Sequence, residues 1–406
     1  MIGKVTAKLL VKLLVIGLLL QSVNFSTVEA ASSKKLMKIE WMGQTSVKQQ
    51  EVLFTNNTYY ASAELLKQWG LGVSFSNKKI TLRQSKSAEK LTFNPVYYDN
   101  KVIVLMYHNI TEGPERQSEL PVAMFRKQMA ALADNGFHVI SMDEYVGFML
   151  EGKAIPSNAV LITFDDGYET FYKYAYPILK EYKFPATNFV IVKWVDEPFG
   201  RPKMSWDQMR EMQKDGMSFY SHTYESHVYK PVDGKGKEKP ALANRLYNKK
   251  TKTIETLSEY RARVKSDLEN AERRLKAELG NKLGIIAFPY GAYNDDVLKL
   301  CKEAGIKLMF TIKPGINTQK NINAFRINAG DKNNDGKVMV AKMKNGMTQR
   351  VEPSIKVIFE NRQINFPSQQ PIILGNRVWF PLKETATMFG LTYTLDEENR
   401  TLKFNK

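Results

Sequence analysis

Ile162-Thr163-Phe164-Asp165-Asp166-Gly167-Tyr168 decides how this chain is read. The apolar run Val160–Phe164 predicts a buried strand, and it ends on two adjacent carboxylates and a glycine. Further along, His222-Thr223-Tyr224-Glu225-Ser226-His227 sets two histidines in a short polar stretch. Together they supply three protein ligands for a divalent metal and leave one carboxylate to act as a base, the minimum for metal-assisted hydrolysis. The histidines are five apart, a spacing that does not stack on one helical face, so at least one is expected on a loop or strand end.

Outward from this stretch, residues 96–345 alternate strand and helix. Val102–Met106 is an apolar, β-branched strand, and Phe125–Asn135 an amphipathic helix closed by Gly136. Tyr172–Tyr182 reads as a helix despite Pro177, Ala186–Val192 as the next strand, and Ser205 as the N-cap of a helix running to Lys214. Such alternation predicts a parallel sheet or barrel. Residues 230–265 break the rhythm: Lys230, Lys235, Lys237, Lys239, Arg245, Lys249, Lys250 and Lys252 crowd a stretch poor in apolar residues. It reads as a solvated loop or insertion, or as a patch that holds an anionic polymer. Asp331-Lys332-Asn333-Asn334-Asp335-Gly336 opens like a calcium loop, but Lys342 stands where a bidentate glutamate is needed, which leaves a polar turn.

A repeat brackets this centre. Tyr59-Tyr60-Ala61-Ser62-Ala63-Glu64-Leu65-Leu66-Lys67-Gln68-Trp69-Gly70-Leu71 returns, at a constant offset of 320, as Trp379-Phe380-Pro381-Leu382-Lys383-Glu384-Thr385-Ala386-Thr387-Met388-Phe389-Gly390-Leu391. Each copy predicts a strand, a short amphipathic helix ending at glycine, and an alternating strand through Val73 and Phe75 or Tyr393 and Leu395. One small unit used twice is expected, with the halves paired into a single module beside the centre; two independent tethers are the alternative.

The 406 residues call for two or three domains, and a 43% apolar fraction fits folded material. A formal charge of +17 favours anionic surroundings. Lys4, Lys8 and Lys12 precede the apolar run Leu13–Leu20, and Val28-Glu29-Ala30 offers a cleavage site, so residues 1–30 read as an export signal, with an uncleaved anchor as the alternative. Export makes an anionic cell-wall polymer a better partner than nucleic acid. The single cysteine, Cys301, excludes an intramolecular disulfide. Nothing in the composition sets the oligomeric state.

The centre resembles the NodB-type polysaccharide deacetylases, carbohydrate esterase family four. The likeness is carried by Ile162–Tyr168, by Leu105-Met106-Tyr107-His108, by Pro185-Ala186-Thr187-Asn188-Phe189 and by Ala287-Phe288-Pro289-Tyr290-Gly291. It implies an irregular (β/α) barrel with fewer than eight regular strands over residues 96–345, Asp165 as catalytic base, and Asp166, His222 and His227 as ligands of a divalent metal. Zinc is the first expectation, with cobalt, nickel or iron close behind. It also implies that the Tyr290 N–H helps to hold an oxyanion. Two parts of the family's usual set are missing. The family often has an arginine where this chain has Ala287, and Arg326 is a candidate to replace it, with no motif behind it. Many relatives place a late histidine as general acid, yet none follows His227, which leaves His108 as proton donor or sugar contact and His138 as an exposed strand-start residue.

The histidine spacing and Met106-Tyr107-His108 resemble the relatives that act on poly-β-1,6-N-acetylglucosamine of biofilm matrices. The implied activity is removal of N-acetyl groups from an extracellular N-acetylglucosamine glycan by a secreted or cell-surface enzyme. Peptidoglycan as the substrate, and a wall-binding protein with weakened turnover, are the alternatives. Segments 37–95 and 351–406 resemble the stalk-like domain related to the N-terminal domain of copper amine oxidases, which implies a small α+β domain; neither contains a histidine, which argues against a copper site there.

Overall fold

The computed structural model describes residues 33–345 and 356–405 apart from 42–43, 46–48, 69, 77–78, 85–95, 320, 360–361, 375–376 and 397; the expected export signal lies outside the described residues. Among the described residues no helix is long and apolar enough to cross a membrane.

The two ends of the chain form a second α+β unit. The first segment gives β1 (Ser33–Trp41), β2 (Gln50–Thr55), β3 (Thr58–Ser62), α1 (Ala63–Gln68), β4 (Leu71–Ser76) and β5 (Lys79–Gln84). At the centre of the unit β3 pairs antiparallel with a strand of the second copy, so that Tyr60 faces Pro381 and Ala61 faces Phe380. The repeat carries the first of these pairs onto the second, so a pseudo-two-fold axis passes between them. The first strand of each copy joins the other copy. Lys38 of β1 pairs in parallel with Thr401, and Ile358 pairs in parallel with Thr81 of β5, the same register in both directions. Neither half closes its sheets without the other. One apolar core runs through both, with the equivalent residues Leu71 and Leu391 buried in it, as are Leu82 and Leu402.

The barrel follows. Its strands are β6 (Val102–Tyr107), β7 (Ala159–Asp165), β8 (Thr187–Val190), β9 (Ser218–Ser221), β14 (Gly284–Ala287) and β15 (Ile306–Phe310), with two-residue strands β16 (Asn323–Ala324) and β17 (Ile327–Asn328). They lie in the order β16-β15-β14-β9-β8-β7-β6-β17, and every neighbouring pair is parallel. Six strands have four residues or more, as expected of an irregular barrel. β6 and β7 are buried at every position, which is why they read as continuous apolar runs rather than alternating ones. Alternate residues still feed different cores. Ile103, Leu105, Val160 and Ile162 pack beneath the helices, whereas Val104 and Leu161 meet Phe189, Ile285, Leu308 and Phe310 from across the sheet. Asp165 has the parity of Leu161, so it faces the interior. The outermost strands, β16 and β17, are separated in the chain only by Phe325 and Arg326. The barrel is therefore closed by a two-residue link, with Arg326 at the seam.

Helices cover the outside. α2 (Val122–Asp134) begins before the expected Phe125, and α4 (Trp206–Gln213) starts at Ser205, whose hydroxyl forms a capping box with Gln208. Tyr172–Tyr182, expected as one helix, is a π-turn over Phe171–Ala175 followed by α3 (Tyr176–Tyr182). The lysine-rich stretch 230–265 holds two small hairpins, β10 (Tyr229–Pro231) with β11 (Glu238–Pro240) and β12 (Tyr247–Asn248) with β13 (Thr253–Ile254). Its last part is not a loop: it opens α5 (Leu257–Leu279), capped by Thr256 and Glu259. The apolar stripe Tyr260, Val264, Leu268, Ala271 and Leu275 is buried, and the charges around it hide the helical period in the sequence. α6 (Asp295–Glu303) precedes β15, and Asp331–Gly336 is a turn into α7 (Gly336–Asn345), where Lys342 lies 3.6 Å from Asp331. The C-terminal copy supplies β18 (Lys356–Phe359), β19 (Ile372–Leu374), β20 (Arg377–Pro381), α8 (Leu382–Met388), β21 (Thr392–Asp396) and β22 (Thr401–Asn405).

Candidate active site

The C-terminal ends of the barrel strands converge on one pocket of polar groups, the usual place for function in such barrels. Asp165 ends β7, His108 follows β6, His222 follows β9, and Tyr290 lies in the turn after β14. The backbone around them is strained: Asp166 (φ 77), Thr223 (φ 73) and Tyr290 (φ 58) all adopt left-handed conformations. For residues with a Cβ each such conformation costs of order 1–3 kcal/mol, and it persists where the surroundings over-determine it, often at functional sites. Gly167 belongs to the same turn, with φ 68 and a position where a Cβ would press on Val190 at 3.1 Å.

Asp166, His222 and His227 present ligand atoms within 4.8 Å of one another. Asp166 Oδ1 lies 3.2 Å from His227 Nε2 and 3.6 Å from His222 Nε2. His222 Nδ1 sits 2.8 Å from the Ala287 carbonyl, so that nitrogen carries the proton and Nε2 is left with a lone pair facing the cluster. Asp166 Oδ1 is buried without a hydrogen-bond partner. Burial pushes both imidazoles toward the neutral, ligand-competent form, His227 down to about 4. Burial works against ionisation of Asp166, yet the charge that His227, His108 and His222 carry when protonated outweighs it, and the carboxyl is held below its ordinary range. An orphaned anionic oxygen facing two neutral imidazole nitrogens fits a divalent cation.

His227 is held by its loop rather than by a helix. Asp267 on α5 accepts the Tyr224 N–H at 3.1 Å and the Glu225 N–H at 2.8 Å. The Tyr290 hydroxyl lies 3.2 Å from His227 Nδ1, and the Tyr290 ring stacks obliquely on the imidazole with centroids 4.4 Å apart. Tyr229, at the start of β10, meets Tyr290 edge-on at 4.6 Å, which brings the lysine-rich hairpin beside the pocket.

Asp165 is the other half of the site. Arg326 donates to both its oxygens, at 2.7 and 2.8 Å, and gives its Nε proton to the Thr311 carbonyl. The guanidinium is completely buried. Burial alone would raise the Asp165 carboxyl, but the Arg326 charge outweighs it and holds the group well below the usual range. His108 Nε2 stands 3.9 Å from Asp165 Oδ2, and its side chain is 31% exposed, open to a bound molecule. His138 is exposed at a strand start, with Nδ1 2.7 Å from the Ser157 carbonyl. The structure thus brings together Asp165, Asp166, His108, His222, His227 and Tyr290, and adds Arg326 where the sequence shows Ala287. Tyr168, the last residue of the acidic motif, completes the wall with Trp194 and Lys203, to which no motif points.

A cation-type ligand triad beside an arginine-clamped carboxylate, at the C-terminal mouth of a parallel barrel, defines a class of hydrolase sites. Known proteins sharpen the class. The family model described as polysaccharide deacetylase matches residues 152–309. A poly-beta-1,6-N-acetyl-D-glucosamine N-deacetylase of Staphylococcus aureus (strain MSSA476) is 31% identical over 241 residues, 59% of this chain and 76% of that protein. Its namesake from Escherichia coli (strain K12) is 27% identical over 261 residues, and the match spans only 39% of that longer protein. Among solved structures, the de-N-acetylase from Aggregatibacter actinomycetemcomitans is 27% identical with a TM-score of 0.55, over 60% of this chain and 99% of that one. The BpsB deacetylase domain from Bordetella bronchiseptica is 27% identical with a TM-score of 0.50, over 56% and 95%. The chain belongs to the polysaccharide deacetylase family.

Proposed function

We propose that this protein is an exported enzyme that hydrolyses N-acetyl groups from N-acetylglucosamine residues of a β-1,6-linked extracellular polysaccharide. The observation that carries the reading is the adjacency of two sets: Asp166, His222 and His227 on one side, and Asp165 clamped by Arg326 on the other. The named activity of the relatives that are 27–31% identical supports the choice of glycan.

Asp166, His222 and His227 would hold a divalent cation, zinc first and cobalt, nickel or iron by the same donor set. Bound there, it supplies Lewis-acid polarisation of the amide carbonyl and of water. Asp165 accepts the proton of the attacking water, and the Arg326 fork fixes the direction in which its oxygens face. The Tyr290 N–H donates to the oxygen that becomes negative as the carbonyl carbon turns tetrahedral. His108, within 3.9 Å of Asp165, delivers a proton to the nitrogen as the C–N bond breaks, giving acetate and a glucosamine residue. The paired lysine-rich hairpins support contact with an anionic wall polymer beside the substrate.

Acetate release tests this reading. Metal-loaded protein is incubated with β-1,6-linked oligomers, chitooligomers and peptidoglycan, with Asp165→Asn as control. Release above the control from the β-1,6 oligomers is expected. Release from peptidoglycan alone moves the substrate, and no release above the control from any glycan leaves a binding protein on this fold.

A further inference from the structure

Lys203 lies in the segment leading into α4, and a backbone bridge joins it to Tyr168, two residues beyond Asp166. Its Nζ is 3.9 Å from the centroid of the Tyr168 ring and 5.1 Å from that of Trp194. Trp194 in turn meets the His227 ring edge-on at 5.9 Å. The ammonium therefore sits in the wall of the pocket, seated on two aromatic faces.

The carboxylates around it are already matched. Asp196 is 2.7 Å from Arg274, Glu225 is 2.6 Å from Lys193, Glu119 is 2.8 Å from Arg201 and Glu169 is 2.7 Å from Lys173. Among the described residues, none forms an ion pair with Lys203. Asp166 acts on its charge from a distance, and Asp166 is committed to the cation site.

The proposed reaction changes one property that such a group senses. A neutral acetamido group becomes an amine, which is protonated near neutral pH. An aromatic pair of this kind is a natural seat for an ammonium, and here the protein's own lysine occupies it. Resting on the deacetylase reading, we infer that Lys203 is a specificity residue that admits N-acetylglucosamine units to the pocket and rejects glucosamine units. It does so by like-charge repulsion in a partly desolvated wall and by filling the seat a substrate ammonium would take. Deacetylation along one polymer then limits itself, because each product unit lowers the affinity of the stretch that carries it.

The test measures binding apart from turnover. In the zinc-loaded, full-length Asp165→Asn protein, affinities are compared for a fully acetylated β-1,6 tetramer and for the same tetramer bearing one glucosamine. The acetylated tetramer should bind about tenfold more tightly, and the ratio should shrink between about 50 and about 500 mM salt as screening grows. Adding Lys203→Gln should cut the ratio several-fold and lessen its salt dependence, the remainder of both coming from the bound cation and Arg326, whereas Lys203→Arg should keep both; loss of a merely structural role would weaken both ligands alike. Equal affinities in the Lys203 protein, or discrimination in the glutamine variant as large as in the Lys203 protein, overturns the inference. Acetate release by the unmodified enzyme is followed in parallel. Its absence on every glycan overturns the deacetylase reading, while normal release with unchanged discrimination in Lys203→Gln overturns the role of Lys203 alone.

Discussion

Arg326 holds both carboxylate oxygens of Asp165 across 161 residues of sequence. The pair spans the barrel: Asp165 ends a central strand, and Arg326 occupies the two-residue link that closes the sheet. One contact thus ties barrel closure to the orientation of the proposed base. Arg326→Met leaves a buried carboxylate without its counter-charge, a change that costs about 3–5 kcal/mol in such pairs. A denaturant midpoint should fall accordingly, and the acid limb of the pH–rate profile should move to higher pH as Asp165 becomes easier to protonate. In the unmodified protein the Asp165 carboxyl is depressed on folding, so its stabilising share is complete above about pH 4 and is lost only as pH falls through its lower folded value.

Chelation should destabilise the protein as well as silence it. Without a cation, the Asp166 oxygen that has no hydrogen-bond partner remains buried. A cation present at about 1,000 times its dissociation constant adds about 4 kcal/mol to stability, which a thermal midpoint with and without chelator will show. Asp166→Asn should abolish the difference.

The histidines set a pH window. The His227 imidazole is pushed from 6.5 to about 4 on folding, mainly by burial. A group depressed in this way stabilises the fold above its unfolded value and loses that share as pH falls through the folded one. Thermal midpoints of the metal-free protein should therefore decline between about pH 6.5 and 4, and cation affinity should fall over the same range. His227→Gln should flatten the decline.

Asp267 touches no reacting group, yet it fixes the loop between the two histidines through the Tyr224 and Glu225 N–H groups. Asp267→Ala should lower cation affinity by about 10–100-fold, the usual size for a group that orients a metal ligand. Competition with a chromophoric chelator measures this directly. An unchanged affinity would show that Tyr290 alone holds His227.

Removing residues 351–406 should unfold the N-terminal copy of the repeat while sparing the barrel. That copy loses the strand facing Tyr60 and Ala61 and the strand paired with Lys38–Trp41. Limited proteolysis should then cut within residues 33–84 and leave the barrel intact.

The metal half of the site was legible because its ligands are local. Asp165-Asp166-Gly167 ends an apolar strand, and the histidine spacing already ruled out a single helical face. Arg326 was legible only as a gap to be filled, since nothing near Phe325 announces that the sheet closes there. Lys203 was invisible, because its seat is built from Tyr168 and Trp194, which come from separate elements. The repeat foretold pairing of the two ends but not the exchange of first strands, because periodicity reports which residues are equivalent and not which copy each strand joins. α5 was obscured by its own charges, although Tyr260, Val264, Leu268 and Leu275 mark its buried stripe.

The parallel pairing of β1 with β22 also has a mechanical side. Ser33 and Asn405 leave that strand pair at opposite ends, because the two strands run the same way. Tension applied between them loads the hydrogen bonds of Lys38–Trp41 with Thr401–Phe404 together, in shear, rather than peeling them one by one. The catalytic barrel is inserted between the strands that bear this load, so a pull along the chain is carried by the terminal clasp. Such a pull leaves the active site slack.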